Sequence, residues 1–310
     1  MTTLALKPSK LPDLVRNGWP YALMVVAMLS FASGTAAAKT LFPAIGAEGT
    51  VTLRVVLSAL LMAMIFQPWK ARRAPRDLAL TLVFGLVLGA MNLFFYLSLR
   101  TLPVGVALGI EFLGPLSVAL LGARRLSHFA WVGLAVVGLA LLLPLTGQSI
   151  DLVGAGFAAL AAVFWALYIV LGKRLSEFDA GRSLAMGMAA AVIVVAPVGI
   201  EPVLSGALFS PPILAMGLLV AILSSAVPYT LEMAALRHIP KRTFGVMLSL
   251  DPAIGALSGL ILLGEMLNGQ QWLAIACIVG ASVGAVVTSG AQGPRETPEG
   301  EVEAFEPKEA

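Results

Sequence analysis

Long apolar runs dominate the chain and recur at short intervals. A helix needs about 20 apolar residues to cross the hydrocarbon core of a bilayer, and by that measure the pattern predicts ten spans. Their approximate bounds are 19–38, 49–67, 78–99, 103–121, 127–145, 151–171, 182–200, 213–235, 243–263 and 270–288. Membrane β-strands are about ten residues long and alternate in polarity. The predicted fold class is therefore an all-α polytopic membrane protein with ten transmembrane helices.

The two ends of the chain differ from the spans. Lys7, Lys10 and Arg16 precede the first apolar run, which ends in three alanines, as a cleavable secretion signal does. Nine further spans favour a helix that is retained. We expect residues 1–18 to form a cytoplasmic segment. Residues 289–310, rich in Glu, Pro and Gly, are expected to form a disordered acidic cytoplasmic tail.

Composition excludes several classes of protein. Residues of the AVILMFWYC set make up 59% of the 310 residues, charged residues only 12%, and the mean hydropathy is +0.93. That leaves too little polar material for the surface of a soluble enzyme, or for a disordered or nucleic-acid-binding protein. A single cysteine and two histidines give no disulfide, no metal site and no cofactor. The lipid bilayer is the expected surrounding, with the protein a monomer or a weak homodimer.

Basic residues orient the predicted spans. Of the 20 Lys and Arg residues, 17 fall in the two ends of the chain and in the even-numbered connections, which share one side of the membrane. Loops rich in Lys and Arg stay in the cytoplasm. Both termini are therefore expected to be cytoplasmic.

The two halves of the chain resemble each other. The sequence LRTLP at 99–103 aligns with LRHIP at 236–240, and in each half another proline follows twelve residues later. Five spans in each half place the second copy upside down relative to the first. The predicted organisation is two inverted five-helix repeats, residues 19–145 and 151–288, and inverted repeats are typical of alternating-access transporters.

Four charged residues fall well inside predicted spans, and each is a candidate for function. They are Arg54, Glu111, Glu232 and Asp251. A charge at the bilayer centre costs ~2.5–3.5 kcal/mol on insertion scales. The alternatives to a functional role are a buried ion pair or a capped helix break.

Prolines accompany the acidic residues of the two equivalent spans. Glu111 lies four residues before Pro115, and Asp251 directly precedes Pro252. Proline removes a backbone hydrogen bond and kinks a helix, which frees carbonyl groups that can face a cavity. We interpret both carboxylates as candidates for binding a proton or a substrate. Asp251 can instead cap the break that its proline makes.

Other polar side chains in the spans have two interpretations. Glu232 lies four residues after Pro228, near enough to the cytoplasmic end to snorkel to the interface. Asn92 and Tyr96 share one helix face, and the repeat alignment places Asn92 over Tyr229. These groups can hydrogen-bond a solute, although bonding between helices is the commoner use of such residues.

Two cations lie towards the extracytoplasmic ends of the first two spans. Lys39 ends the first span, and Arg54 lies one turn into the second. Either can hold an anion, or pair with a protein acid such as Glu48. Glu265, at the end of the ninth span, is expected to be a turn or cap residue.

Small residues recur at four-residue spacing in three spans. The stripes are Ser30-Gly34-Ala38, Gly85-Gly89 and Ala276-Gly280-Gly284. Such stripes let helix backbones approach closely. We interpret them as packing seams within the bundle, with a dimer face on the last span as the alternative.

Several sequence segments resemble a known family. They are AKTLFP at 38–43, GAMNLFFY at 89–96, GIEFLGP at 109–115, AILSS at 221–225, LEM at 231–233 and LGE at 263–265. With these, residues 20–288 resemble the ten-helix EamA-type members of the drug/metabolite transporter superfamily. The chain departs from the family pattern at Asp251, where a glutamate is expected, and the acid is one methylene shorter.

The resemblance implies export of small neutral amino acids, such as threonine and homoserine, across the inner membrane. It implies alternating access driven by the proton gradient. The candidate residues of a substrate and proton pathway are Glu111, Asp251, Glu232, Asn92, Tyr96, Tyr229, Arg54 and Lys39, with helix breaks at Pro115, Pro252 and Pro228. Alternatives are an exporter of another metabolite or drug, or a channel-like permeation protein. An enzyme is disfavoured because the spans hold one histidine, His128 at the very start of the fifth, and a single cysteine, neither with a catalytic partner.

Overall fold

The protein is helical wherever its structure is described. The computed structural model describes residues 11–70, 74–121, 126–142, 151–175, 180–236, 247–248 and 250–289, and these ranges contain no strand. The predicted acidic tail, residues 1–10 and most of the basic connections lie outside the described residues. The all-α class predicted from the apolar pattern is confirmed for the described part of the chain.

Thirteen helices and three shorter turns follow one another in these ranges. The helices are α1 (Leu11–Lys39), α2 (Phe42–Phe66), α3 (Pro75–Ser98), α4 (Val104–Glu111), α5 (Leu113–Leu121), α6 (Leu126–Leu142), α7 (Leu152–Leu175), α8 (Ala180–Val195), α9 (Ile200–Leu204), α10 (Pro211–Ala221), α11 (Val227–Leu236), α12 (Asp251–Leu263) and α13 (Gly269–Ser289). Two 3₁₀ turns lie at Pro68–Lys70 and Ala207–Phe209, and a π-helical turn at Ile222–Ala226 joins α10 to α11.

Five helical segments in the described residues are long and apolar enough to cross a membrane. They are Trp19–Lys39, Phe42–Phe66, Pro75–Ser98, Leu152–Gly172 and Pro211–Glu232. Four shorter apolar helices accompany them, at Val104–Val118, Gly181–Val195, Asp251–Leu263 and Gly269–Ala281. This composition makes the chain a polytopic membrane protein. The count of ten spans stays a prediction.

Helix breaks explain several of the shorter pieces. The predicted fourth span divides at Phe112 into α4 and α5, three residues before Pro115. The predicted ninth span contains a turn at Leu250, and α12 begins at Asp251 with Pro252 in its first turn. Proline is tolerated there because the first N–H groups of a helix have no intrahelical partner. Each of the two mid-span acids therefore stands at a helix end.

Glycines let the central helices pack backbone to backbone. α3 lies against α7 and α8, and a Cβ at Gly85 would collide with the carbonyl oxygen of Gly187. On α13, Gly280 and Gly284 face the side chains of Leu134 and Trp131 of α6. The glycines of the last stripe are thus seated on a neighbouring helix of the same chain. The packing interpretation holds there.

Candidate functional site

A buried arginine joins three helices in the middle of the bundle. Arg54 of α2 is 1% exposed. Its Nη1 donates to Asn92 Oδ1 of α3 at 2.5 Å, and its Nη2 donates to the Ser224 carbonyl of the π-helical turn at 2.8 Å. The Asn92 amide is itself held, because its Nδ2 donates to the Leu88 carbonyl at 2.8 Å. The guanidinium is therefore fixed in direction as well as in place.

The π-helical turn supplies the carbonyls that hold this site together. Pro228 has no N–H, so neither Ser224, four residues earlier, nor Leu223, five residues earlier, receives a helical hydrogen bond from it. Both carbonyls accept side chains from other helices instead. Ser224 O accepts Arg54, and Leu223 O accepts Ser30 Oγ of α1 at 2.7 Å. Pro228 thus leaves the Ser224 and Leu223 carbonyls free to accept these side chains. The sequence analysis expected free carbonyls at prolines but did not identify which ones.

Aromatic rings flank the guanidinium and leave part of it unpaired. The Arg54 Cζ atom lies 5.2 Å from the ring centre of Tyr96 and 6.0 Å from that of Phe31. Arg54 Nε and Tyr96 Oη are both buried, and neither makes a well-formed hydrogen bond among the described residues, although the Tyr96 hydroxyl lies beside Arg54 and Ser224. Unpaired buried donors are costly. This pair of groups is suited to receive an anionic or hydroxylic part of a ligand.

Acidic side chains gather beside the arginine. Glu111, at the end of α4, and Asp251, at the start of α12, are both buried. They are within electrostatic range of each other, Glu111 is within range of Arg54, and Asp251 is within range of Glu232. No described residue forms a hydrogen bond or an ion pair with the Glu111 carboxylate. Among the described residues the cluster places three carboxyl groups near one guanidinium, so it can hold protons or a cationic group.

Tyrosines complete the cluster on the α11 side. Tyr229 is within electrostatic range of Arg54, Glu111 and Glu232. Tyr168 of α7 is within range of Tyr229 and Glu232, and its ring lies 5.0 Å from that of Phe84. Sequence analysis missed Tyr168, since a tyrosine on an apolar helix carries no signal of its own. Glu232 is half-buried rather than exposed at the interface.

Lys39 lies apart from this cluster, at the C-terminal end of α1. Its Nζ donates to Glu265 Oε1 at 2.5 Å and to the Leu102 carbonyl at 3.0 Å. Glu48, weighed as a partner for Lys39 or Arg54, instead accepts from Arg100 at 2.8 Å. Glu265 is a cap residue, as its position suggested: its backbone N–H donates to the Gly259 carbonyl of α12 at 3.1 Å. Its side chain also caps α4, since Glu265 Oε2 accepts the Val104 N–H at 2.8 Å.

The cluster does not have the arrangement of a metal centre. Among the described residues no three His, Cys, Asp or Glu side chains are placed to hold a metal ion. Its acids, amide, tyrosines and single guanidinium offer hydrogen bonds and charges of both signs. Such a set suits a small polar solute.

Known proteins resemble this chain in sequence and in fold. The profile of the EamA-like transporter family matches residues 152–287. The threonine/homoserine exporter RhtA of Salmonella typhimurium (strain LT2) is 46% identical over 272 residues, which are 87% of this chain and 92% of that protein. Its namesake in Escherichia coli (strain K12) is 43% identical over the same shares. The chain belongs to the EamA-like transporter family. Membership makes this protein a membrane transporter rather than an enzyme.

The fold also has a counterpart among solved structures. One crystal structure superposes with a TM-score of 0.57 and covers 89% of this chain and all of the other, at 19% sequence identity. At that identity the similarity concerns the fold alone. The EamA-type resemblance noted from the segments around Glu111 and Glu232 is thus confirmed by sequence comparisons over most of the chain.

Proposed function

We propose that this protein exports small neutral amino acids, threonine and homoserine in particular, across the inner membrane. In this proposal ten helices form two inverted repeats with both termini in the cytoplasm. The repeats alternate between a state open to the cytoplasm and a state open to the outside. Support comes from the relatives named threonine/homoserine exporters and from the central cluster.

The observation that carries the proposal is the charge pattern of the buried cluster. A neutral amino acid has a carboxylate and an ammonium group a few bonds apart. Arg54 Nε and Tyr96 Oη make no well-formed hydrogen bond among the described residues and are the donors available to the carboxylate. Glu111 and Asp251 lie within electrostatic range of each other, and Glu111 also of Arg54. These acids offer the anionic partner for the ammonium, so one molecule satisfies both groups at once.

Proton coupling follows from the same carboxylates. A buried carboxylate that holds either a proton or the substrate ammonium, but never both, links the two fluxes by competition. Glu111 is suited to this role because no described residue pairs with it. Asp251 and Glu232, which lie within electrostatic range of each other, extend the acidic groups towards α11.

Transport into everted membrane vesicles tests the proposal. Vesicles with the protein should accumulate labelled threonine in a saturable way when a proton gradient is imposed, and homoserine should compete. N-acetylthreonine and threonine methyl ester should not compete, since each lacks one of the two charges. Uptake equal to that of vesicles without the protein, for every small neutral amino acid, overturns the proposal. Linear, unsaturable flux favours the channel-like alternative, and competition by an unrelated solute favours another metabolite or drug.

A further inference from the structure

Lys39 and Glu265 form a mostly shielded ion pair, here called the lock, at one end of the bundle. The ion pair measures 2.5 Å, and Lys39 also holds the Leu102 carbonyl at 3.0 Å. The other oxygen of Glu265 accepts the Val104 N–H at 2.8 Å. One carboxylate thus ties the end of α1 to the start of α4. Both side chains are mostly shielded, with 19% and 16% of their surfaces exposed.

The lock joins the two halves of the chain. Lys39, Leu102 and Val104 belong to the first half, and Glu265 belongs to the second. A second ion pair at the same end, Arg100–Glu48, joins two parts of the first half only. That pair is more exposed, at 55% and 29%. Movement of the end of α1 away from Glu265 must break the Lys39–Glu265 pair but leaves the second pair intact.

Two short helices connect the lock to the central acids. α4 has Val104 at one end and Glu111 at the other, about 10.5 Å apart at 1.5 Å per residue. α12 begins at Asp251 and ends just before Glu265.

These two helices, α4 and α12, pack against each other through glycines. A Cβ at Gly105 would collide with Ala256, and one at Gly255 with the Leu108 side chain. Packing this close couples the positions of the two helices. A shift at the central acids is therefore transmitted to the lock.

We propose that Lys39 and Glu265 are the extracytoplasmic gate of this transporter, and that the structure has this gate closed. Glu265 is a positioning residue: it holds the start of α4 and closes the path beside the helix pair that carries Glu111 and Asp251. Opening requires Glu265 to release Lys39 of α1, while the bond from the Val104 N–H to Glu265 is kept because α4 and α12 shift together. This inference rests on the alternating access proposed above.

Reversible cross-linking tests the gate. The native cysteine is first removed by Cys277→Ala, and Lys39→Cys and Glu265→Cys are introduced together. A bifunctional methanethiosulfonate then bridges the two new cysteines through disulfide bonds, which dithiothreitol cleaves. Export should stop on cross-linking and return on reduction. Glu48→Cys with Arg100→Cys is the matched control at the same end, and its cross-linked form should export at the uncross-linked rate. Undiminished export by the cross-linked Lys39/Glu265 variant overturns the proposal.

Thiol labelling tests the gate without any substrate. Ser258, buried on α12 between Asp251 and Glu265, is changed to Cys as a reporter. A membrane-impermeant maleimide added from outside should label this cysteine about three- to fivefold faster when Glu265→Gln is present. Loss of one shielded ion pair should raise the population of the open gate by about that factor. Glu48→Gln should leave the rate unchanged. Equal labelling in both variants overturns the gate. If labelling responds while threonine transport is absent, the gate stands and the assigned substrate fails.

Discussion

Arg54 and Asn92 meet through a 2.5 Å hydrogen bond between α2 and α3, with the guanidinium 1% exposed. The bond uses one arm of a fork whose other arm holds the Ser224 carbonyl. Only a guanidinium has the planar, two-armed shape that reaches both acceptors while leaving a third donor for a ligand.

Arg54→Lys should therefore lose transport although it keeps the charge. A single ammonium cannot occupy both acceptors and present Nε to a carboxylate. We expect threonine transport to fall at least about tenfold, the effect of losing one charge-assisted hydrogen bond. Arg100→Lys, at an exposed ion pair, should stay within about twofold of the native rate. Native kinetics in Arg54→Lys would show that the guanidinium does not bind substrate.

Glu111→Gln should stop proton-driven export without harming the fold. The change conserves volume and leaves no opposite charge stranded, since no described residue forms an ion pair with Glu111. Proton-driven export is expected to fall at least about tenfold, equivalent to ~1.4 kcal/mol on one step. Membrane level and melting temperature are measured alongside, with the exposed Glu201→Gln as control. Full export by Glu111→Gln removes this residue from the mechanism.

Pro228→Ala should weaken the Arg54 site from a distance. The new N–H can bond the Ser224 or Leu223 carbonyl within its own helix and so compete with Arg54 and Ser30. We expect the KM for threonine to rise about three- to tenfold with little change in stability. Pro211→Ala is the control, because its N–H would lie at the start of α10, where no intrahelical acceptor exists. Identical KM values in the two variants would contradict the role assigned to the free carbonyls.

Gly85→Ala should destabilise the protein. A Cβ there meets the Gly187 carbonyl and the Ala190 side chain, and such overpacking costs about 1–3 kcal/mol. Gly156→Ala is the matched control: it lies within α7 and has nothing within 4 Å of the added atom. Thermal unfolding in detergent should show a lowered Tm for the first variant only. Equal Tm values for Gly85→Ala and Gly156→Ala would contradict the prediction, since α3 and α8 would then have room for the added methyl group.

Reporter fusions test the orientation. Fusions near residues 13, 72, 178 and 300 should report a cytoplasmic position, and those near 46, 148 and 205 an outside one, because Lys- and Arg-rich loops stay inside. An external C-terminus would overturn the ten-span arrangement.

The sequence predicted the helices, and the places where they break, better than it predicted the contacts between side chains. Apolar length alone locates α1, α2, α3 and α7, and proline positions indicate the breaks near Glu111 and Asp251. These features depend on neighbours along the chain.

Local sequence patterns did not predict which side chains pair across the bundle. The binding of Arg54 to Ser224 O spans 170 residues, and that of Lys39 to Glu265 spans 226. Glu48 satisfied every local criterion as a partner for these cations, yet it pairs with Arg100. One signal was present in the sequence: Pro228 stands four residues after Ser224 and marks a carbonyl without its helical donor.

The buried fork of Arg54 also constrains how the protein is made. Asn92 is synthesised 38 residues after the arginine and Ser224 170 residues after it. α2 must therefore enter the bilayer with an unsatisfied guanidinium, a cost of ~2.5–3.5 kcal/mol that its mean hydropathy of 2.0 offsets. The α2–α3 hairpin supplies the first partner. The second partner, the Ser224 carbonyl, is available only after the ribosome has passed Pro228. A chain truncated after α3 but within the first half therefore keeps a buried arginine in the membrane with only one of its two hydrogen bonds.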